Sequence, residues 1–279
     1  MKYIKPQYVF DFGELNLLAA NKRLGSYPFL KNNISKIKEN YCKYHFNNGF
    51  PKTLKKINFT SKEIEAFENH YNSPPKGTLQ FIDKTRNKKS KNICPMCGSL
   101  SNNTVDHFLP QKKYPEFSFY SMNLVPACSC NNKKNDSVYG VDDDDHFLHP
   151  YYNVCMSDKL LTVVFQGDLN CPKISVELLD KTHPDHKAIQ FHFDNLIRPN
   201  GIYDHFDCMY EDMIENPKYY FCLEDGVNVS LVDLENLIKY EIKSHNNKLG
   251  TPNNWNSLFY EGFLKSTNHL NHVLQIINK

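Results

Sequence analysis

The sequence predicts an α+β protein in which mainly helical flanks enclose a small mixed centre fastened by cysteines. Three observations carry the prediction. Apolar residues recur at helical spacing in the first and last thirds, two β-rich runs follow the middle, and four of nine cysteines fall in two close pairs between positions 94 and 130. With 279 residues, 40% hydrophobic and 13% aromatic, the chain can fill a real core as one large or two small domains. No window approaches the ~18 consecutive apolar residues of a membrane span. Met1-Lys2-Tyr3-Ile4-Lys5 begins no secretory leader, so the expected address is the cytoplasm, with no membrane partner.

Residues 1–88 read as a mainly helical region. Leu15, Leu17, Leu18 and Ala19, then Ile34 and Ile37, then Ile64, Phe67 and Tyr71 recur at helical spacing, with Ser61 and Glu63 marking a helix start. Pro74, Pro75 and Gly77 break the pattern. Residues 85–92, a polar basic run, predict a surface loop leading into the cysteines. The centre is then 89–152. Beyond it, 153–279 begins with β-rich runs at 159–165 and 173–179 around a turn, which predicts a hairpin. Helical stretches follow near 185–197, 202–215, 231–246 and 254–277, punctuated by Pro199-Asn200-Gly201 and Gly250-Thr251-Pro252.

The formal charge of +2 hides a concentration of positive charge. From 84 to 134 stand Lys84, Arg86, Lys88, Lys89, Lys91, Lys112, Lys113, Lys133 and Lys134 against Asp106 and Glu116 alone. Such a segment suits a polyphosphate ligand or, more blandly, a solvated face.

Cys94-Pro95-Met96-Cys97-Gly98 is a knuckle whose two thiolates can face one ion, and Cys128-Ser129-Cys130 supplies a second pair. Four thiolates at ~2.3 Å make a closed structural Zn²⁺ site with no open position for chemistry. The other five cysteines (Cys42, Cys155, Cys171, Cys208, Cys222) are scattered, and in a reducing compartment they read as buried thiols rather than a disulfide frame. Between the pairs lie Asp106 and His107, and Asn131 follows Cys130 directly. A neutral imidazole can take a proton near neutral pH, while a carboxylate and an amide oxygen are hard ligands suited to Mg²⁺ or Mn²⁺. Adjacent strand residues point to opposite faces, so a shared site calls for a twist or bulge at the strand end.

Taken jointly, Cys94-x-x-Cys97, Asp106-His107-x-x-Pro110, Asn123-Leu124-Val125-Pro126 and Cys130-Asn131-x-Lys133-Lys134 resemble the HNH endonuclease family over about residues 90–150. The resemblance implies a ββα-metal fold and hydrolysis of nucleic-acid phosphodiesters, double-stranded DNA foremost. It implies that Asp106 and Asn131 ligate the catalytic Mg²⁺ or Mn²⁺, that His107 is the general base, and that Asn123 fixes the loop and the imidazole. Lys133 and Lys134, on the helix behind, would meet the substrate backbone, as would Lys112 and Lys113. The family usually has two residues between the second pair of cysteines. The single Ser129 here predicts an altered ion geometry, or replacement of one cysteine by a histidine or water.

Long HNH proteins of this layout also resemble the nuclease subunits of bacterial anti-phage defence systems, often paired with an ATPase. One site cuts one strand, so a double-strand break needs a homodimer or two successive events. RNA stays open as a substrate, because a base and a metal do not distinguish sugars. The alternative is a non-catalytic zinc-ribbon module that binds nucleic acid or a partner protein without turnover. Four further features read as structural: the run Asp142, Asp143, Asp144, Asp145 as a solvated loop; His149 as a hydrogen-bonded histidine more than a phosphate contact; His183, His186 and His192 as helix-start and surface residues; and Trp255, Phe259, Tyr260 and Phe263 as a helical core stripe.

Overall fold

A computed structural model of the chain describes residues 1–87, 93–101, 104–134, 138–142, 144–224 and 226–279. Among these, α-helices and two separate two-stranded antiparallel sheets make the α+β class expected. The N-terminal region holds α1 (Asp11–Ala20), α2 (Phe29–Phe46), α3 (Ser61–Asn72) and α4 (Gln80–Asn87). The start of α3 is a capping box one residue ahead of Ser61: Thr60 Oγ1 accepts from Glu63 N, and the Glu63 carboxylate accepts from Thr60 N at 2.7 Å.

The first residues of the loop expected over 85–92 are helical instead. Helix α4 continues to Asn87 because Phe81 and Ile82 are buried and Arg86 lies across Tyr71, its guanidinium 4.2 Å from the ring centre and donating to Tyr71 O at 2.7 Å. Lys88, Lys89 and Lys91, and the boundary near residue 88, lie outside the described residues.

In the centre, β1 (Thr104–His107) pairs with β2 (Leu124–Ala127), with Asp106 opposite Val125 and His107 opposite Leu124. The third element of the expected ββα unit is a 3-10 helix over Ser129–Lys134 rather than an α-helix. The tighter winding suits two cysteine sulfurs turned to one point, with Cys130 N donating to Cys128 Sγ at 3.3 Å.

The C-terminal region opens with the expected hairpin, β3 (Leu161–Gly167) and β4 (Pro172–Leu178), in register from Leu161↔Leu178 to Gly167↔Pro172. It continues through α5 (His186–His192), one π turn (Phe193–Ile197), α6 (Ile202–Glu215), α7 (Pro217–Tyr220), α8 (Leu231–Leu249), α9 (Trp255–Lys265) and α10 (Thr267–Ile277). The stretch expected over 254–277 is therefore two helices, parted at Ser266, whose N–H turns back to Phe263 O. Helix α9 lies directly on β3. At Gly262 a Cβ would stand 2.6 Å from Val163, so only glycine permits the approach.

One apolar core runs through all three regions, from Leu15 and Phe67 through Phe117 and Leu124 to Phe206, Phe259 and Phe263. Four of the scattered cysteines do not join it as expected: Cys42, Cys171, Cys208 and Cys222 are exposed, while half-buried Cys155 packs against it. Among the described residues no helix is long and apolar enough to cross a membrane.

His70 on α3 gives the fold a pH dependence. Its Nε2 lies 2.8 Å from Ser26 Oγ, and burial pushes its pKa down to about 4. The unfolded ring takes up a proton near pH 6.5. Stability is therefore full above that value and falls as the pH drops from 6.5 towards 4, by up to ~3 kcal/mol for this group. The urea midpoint should fall over that range, and His70→Gln should flatten the slope.

Candidate active site and metal centre

The knuckle brings all four paired cysteines together. Their sulfurs are buried and lie within 4.8 Å of one another, with Cys94–Cys130 at 3.6 Å and Cys97–Cys128 at 3.5 Å. A tetrahedral ion with ~2.3 Å bonds needs sulfurs ~3.8 Å apart. The short Cys128-x-Cys130 turn thus reaches the same point as the longer knuckle, and the cluster can hold a metal such as zinc without a histidine. Its donors already favour thiolates: Cys128 N points at Cys94 Sγ, and Asn200 Nδ2 lies 3.4 Å from Cys97 Sγ and 3.7 Å from Cys128 Sγ. Hydrogen bonds from Cys130, Cys94 and Cys97 hold the Cys128 thiol far below its usual range, and those with Cys128, Cys94 and Cys97 push Cys130 up.

Distant parts of the chain hold the knuckle in place. Four successive carbonyls are each taken: Pro95 O by Lys2 N at 2.9 Å, Met96 O by His192 Nε2 at 2.7 Å, Cys97 O by Trp255 Nε1 at 2.7 Å, and Gly98 O by Trp255 N at 3.2 Å. Gly98 has φ 85°, and a Cβ there would collide with Asn253 O. His192, expected on the surface, is fully buried and also accepts Leu148 N at Nδ1. Trp255 is core, as its apolar spacing indicates, but its role as a clamp on a cysteine loop has no local signature. Among the described residues, His183 and His186 make short-range turn bonds, in keeping with a helix start.

The reactive positions gather where β1 ends. His107 is 7% exposed, packed edge-on against Tyr71 with ring centres 4.4 Å apart, and its Nε2 is 2.8 Å from Ser118 O. A carbonyl can only accept, so Nε2 carries the proton and Nδ1 the lone pair. Burial pushes the pKa of His107 down to about 4, so the ring is neutral at pH 7. Asp106 Oδ1 accepts His107 N at 2.7 Å. Burial raises the pKa of Asp106, and the Lys134 ammonium opposes that shift. The β1–β2 ladder contains no bulge. Asp106 instead curls back towards the strand end.

Lys134 departs from its expected role. It is 4% exposed, and its ammonium donates to His107 O at 2.8 Å and Phe108 O at 2.6 Å, which ties the 3-10 helix to the end of β1. Burial lowers its pKa to about 8, with Asp106 opposing. It braces the site from within and has no exposed charge for a phosphate. Lys112, Lys113 and Lys133 are exposed. Half-buried Asn131 lies in the same 3-10 helix, three residues before Lys134.

Asn123 is fully buried and pins the loop after β1. Its Oδ1 accepts Leu109 N at 2.7 Å, and its Nδ2 donates to Phe117 O and Leu109 O. Its expected hold on the imidazole is indirect, running through Phe117 to the neighbouring Ser118 O. Tyr44 OH lies 3.2 Å from Asn123 Oδ1 and 3.0 Å from His149 Nε2, so His149 supports the loop as a buried structural histidine. Asn123→Ala strands buried groups of Leu109 and Phe117. It should cost ~2–4 kcal/mol, read as a lower urea midpoint.

No protein-family model matches the chain, and no solved structure matches it. Among curated proteins the chain is similar to protein ea31 of Escherichia phage lambda, 36% identical over 104 residues. The match covers 36% of this chain and 35% of that protein.

Proposed function

We propose that the chain is a metal-dependent endonuclease of the HNH type that hydrolyses phosphodiester bonds of DNA. The observation that carries the reading is the meeting, at the end of β1, of a neutral buried imidazole, a half-buried carboxyl and the turn bearing Asn131, fastened by Lys134 and flanked by the cysteine cluster. His107, with Nε2–H fixed on Ser118 O, accepts the proton of the attacking water at Nδ1. The water oxygen bonds to phosphorus, and the bond to the leaving ester oxygen breaks. Asp106 and Asn131 supply hard oxygen donors of the kind Mg²⁺ or Mn²⁺ prefers. The fit is favoured because burial leaves the Asp106 charge incompletely balanced, and a cation relieves that cost. When bound, such an ion offsets negative charge on the phosphate and the leaving oxygen.

Lys112, Lys113 and Lys133 are the exposed cations for the substrate backbone. Zn²⁺ at the four cysteines has a folding role in this reading. Nicking of supercoiled plasmid with Mg²⁺ or Mn²⁺, lost in a His107 variant that keeps its zinc, tests the proposal. Binding without turnover, indifferent to His107, would favour the zinc-ribbon module instead. A defence role beside an ATPase follows from the resemblance in layout, and ATP hydrolysis retained with the tagged chain through purification is its check.

A further inference from the structure

One buried carboxyl has no part in the reaction above. Glu116, in the loop between β1 and β2, is 4% exposed, and its Oε1 accepts from Asn40 Nδ2 at 3.0 Å. Asn40 is itself buried and also bonded to the backbone of Lys55 in both directions. The Glu116 side is therefore held from behind by α2. It lines a cleft of about 340 Å³ together with Tyr114 and Tyr139, and with exposed Lys55, Lys56 and Lys113. The Tyr139 ring is steadied edge-on against Phe50, with centres 5.6 Å apart. Lys55 is paired with Glu39 at 2.7 Å.

A cleft with a cationic rim, aromatic walls and an acceptor at its floor selects a ligand with the opposite features in the same order. It should carry negative charge at one end, a flat ring in the middle and N–H donors at the other. A nucleotide is built this way. Of the bases, guanine alone sets two N–H donors, N1 and N2, side by side on its pairing edge, and the two oxygens of a carboxylate accept such a pair. The volume is that of an ordinary small-ligand pocket. Burial holds the Glu116 pKa up at about 7, and donors settling on the carboxylate favour its charged form.

We propose that this cleft takes an unpaired guanine nucleotide, with Glu116 accepting from the base edge, Tyr114 and Tyr139 bounding the ring, and Lys56 and Lys113 meeting the phosphate. A guanine edge is free only outside a duplex, so the cleft reads single-stranded or extruded bases. The proposal rests on the nucleic-acid reading of the chain and does not need cleavage.

Fluorescence anisotropy without added magnesium tests it, using a labelled short oligothymidylate with and without one central dG. Free GMP and the same strand in a duplex serve as competitors. The strand with dG should bind on the order of tenfold tighter, the discrimination of a good bidentate contact. Glu116→Gln keeps an acceptor for Asn40 but sets an amide N–H against the donors of guanine. It should bind both strands alike while melting as the parent does, and Lys56→Ala should weaken both. Competition by GMP as strong as by the strand would identify the occupant as a soluble guanine nucleotide, within the same chemistry. Equal binding of the two strands by the parent chain, or a guanine preference that survives Glu116→Gln, overturns the proposal. Nicking without guanine preference removes this proposal alone, whereas guanine preference without nicking removes only the nuclease reading.

Discussion

Cys128→Ser, or prolonged chelation of the parent chain, should release one equivalent of zinc and lower the melting temperature by ~10–20 °C. The size follows from two magnitudes. Structural zinc contributes ~10–16 kcal/mol of apparent binding energy at pH 7, whereas whole domains are stable by only ~5–15 kcal/mol. Part of the lost energy returns through protonated thiols packed as a small apolar cluster. A net loss of ~5 kcal/mol is therefore a reasonable scale, at ~2–4 °C per kcal/mol for a chain of this size. The damage should also spread. Trp255 and His192 hold knuckle carbonyls at 2.7 Å, so an unfixed knuckle releases anchors of α9 and α5 as well as the β1–β2 hairpin. Elemental analysis with thermal melts reads both effects. A Cys128→Ser chain that melts as the parent does, or a parent that carries no metal when purified without chelator, would reduce the cluster to four packed thiols.

What the sequence discloses and what it hides divide along physical lines. Local chemistry is legible. The helix start read at Ser61 and Glu63, capped one residue earlier by Thr60, the alternation in β3 and β4, and the cysteine pairs each express a constraint among residues close in the chain, and the matching elements form. Contacts between residues far apart in the chain are not legible. Trp255 has the spacing of a core residue, and nothing near it in the chain reports that its indole N–H belongs to Cys97 O. Lys134 shows the same limit from the other side. A lysine in a basic run suggests a phosphate contact, yet the tight turn after Cys130 carries it inward to two carbonyls. Four of the five scattered cysteines stay exposed for a related reason: apolar character alone does not bury a residue on a helix face the core leaves open, as for Cys42 and Cys208, or in a surface turn, as for Cys171 and Cys222.

His107→Ala should lower plasmid nicking by ~10²–10⁴-fold, the contribution of a well-placed general base, while zinc content stays at the parent level. The alanine also removes a buried ring packed on Tyr71, so a loss of activity could reflect a collapsed site. His107→Gln separates the two causes. Its amide N–H can replace the bond that Nε2 makes to Ser118 O, but an amide has no basic nitrogen for the water proton. The glutamine variant should therefore melt close to the parent and remain as inactive as the alanine variant. Asp106→Asn should behave differently again. It keeps an oxygen for His107 N but loses the charge that burial leaves incompletely balanced, so nicking should recover in part at raised Mg²⁺ or Mn²⁺. A His107→Gln chain that nicks at the parent rate would move the base elsewhere. An Asp106→Asn chain with an unchanged metal requirement would remove that carboxylate from the ion's ligand set and leave it as the cap of its own strand end.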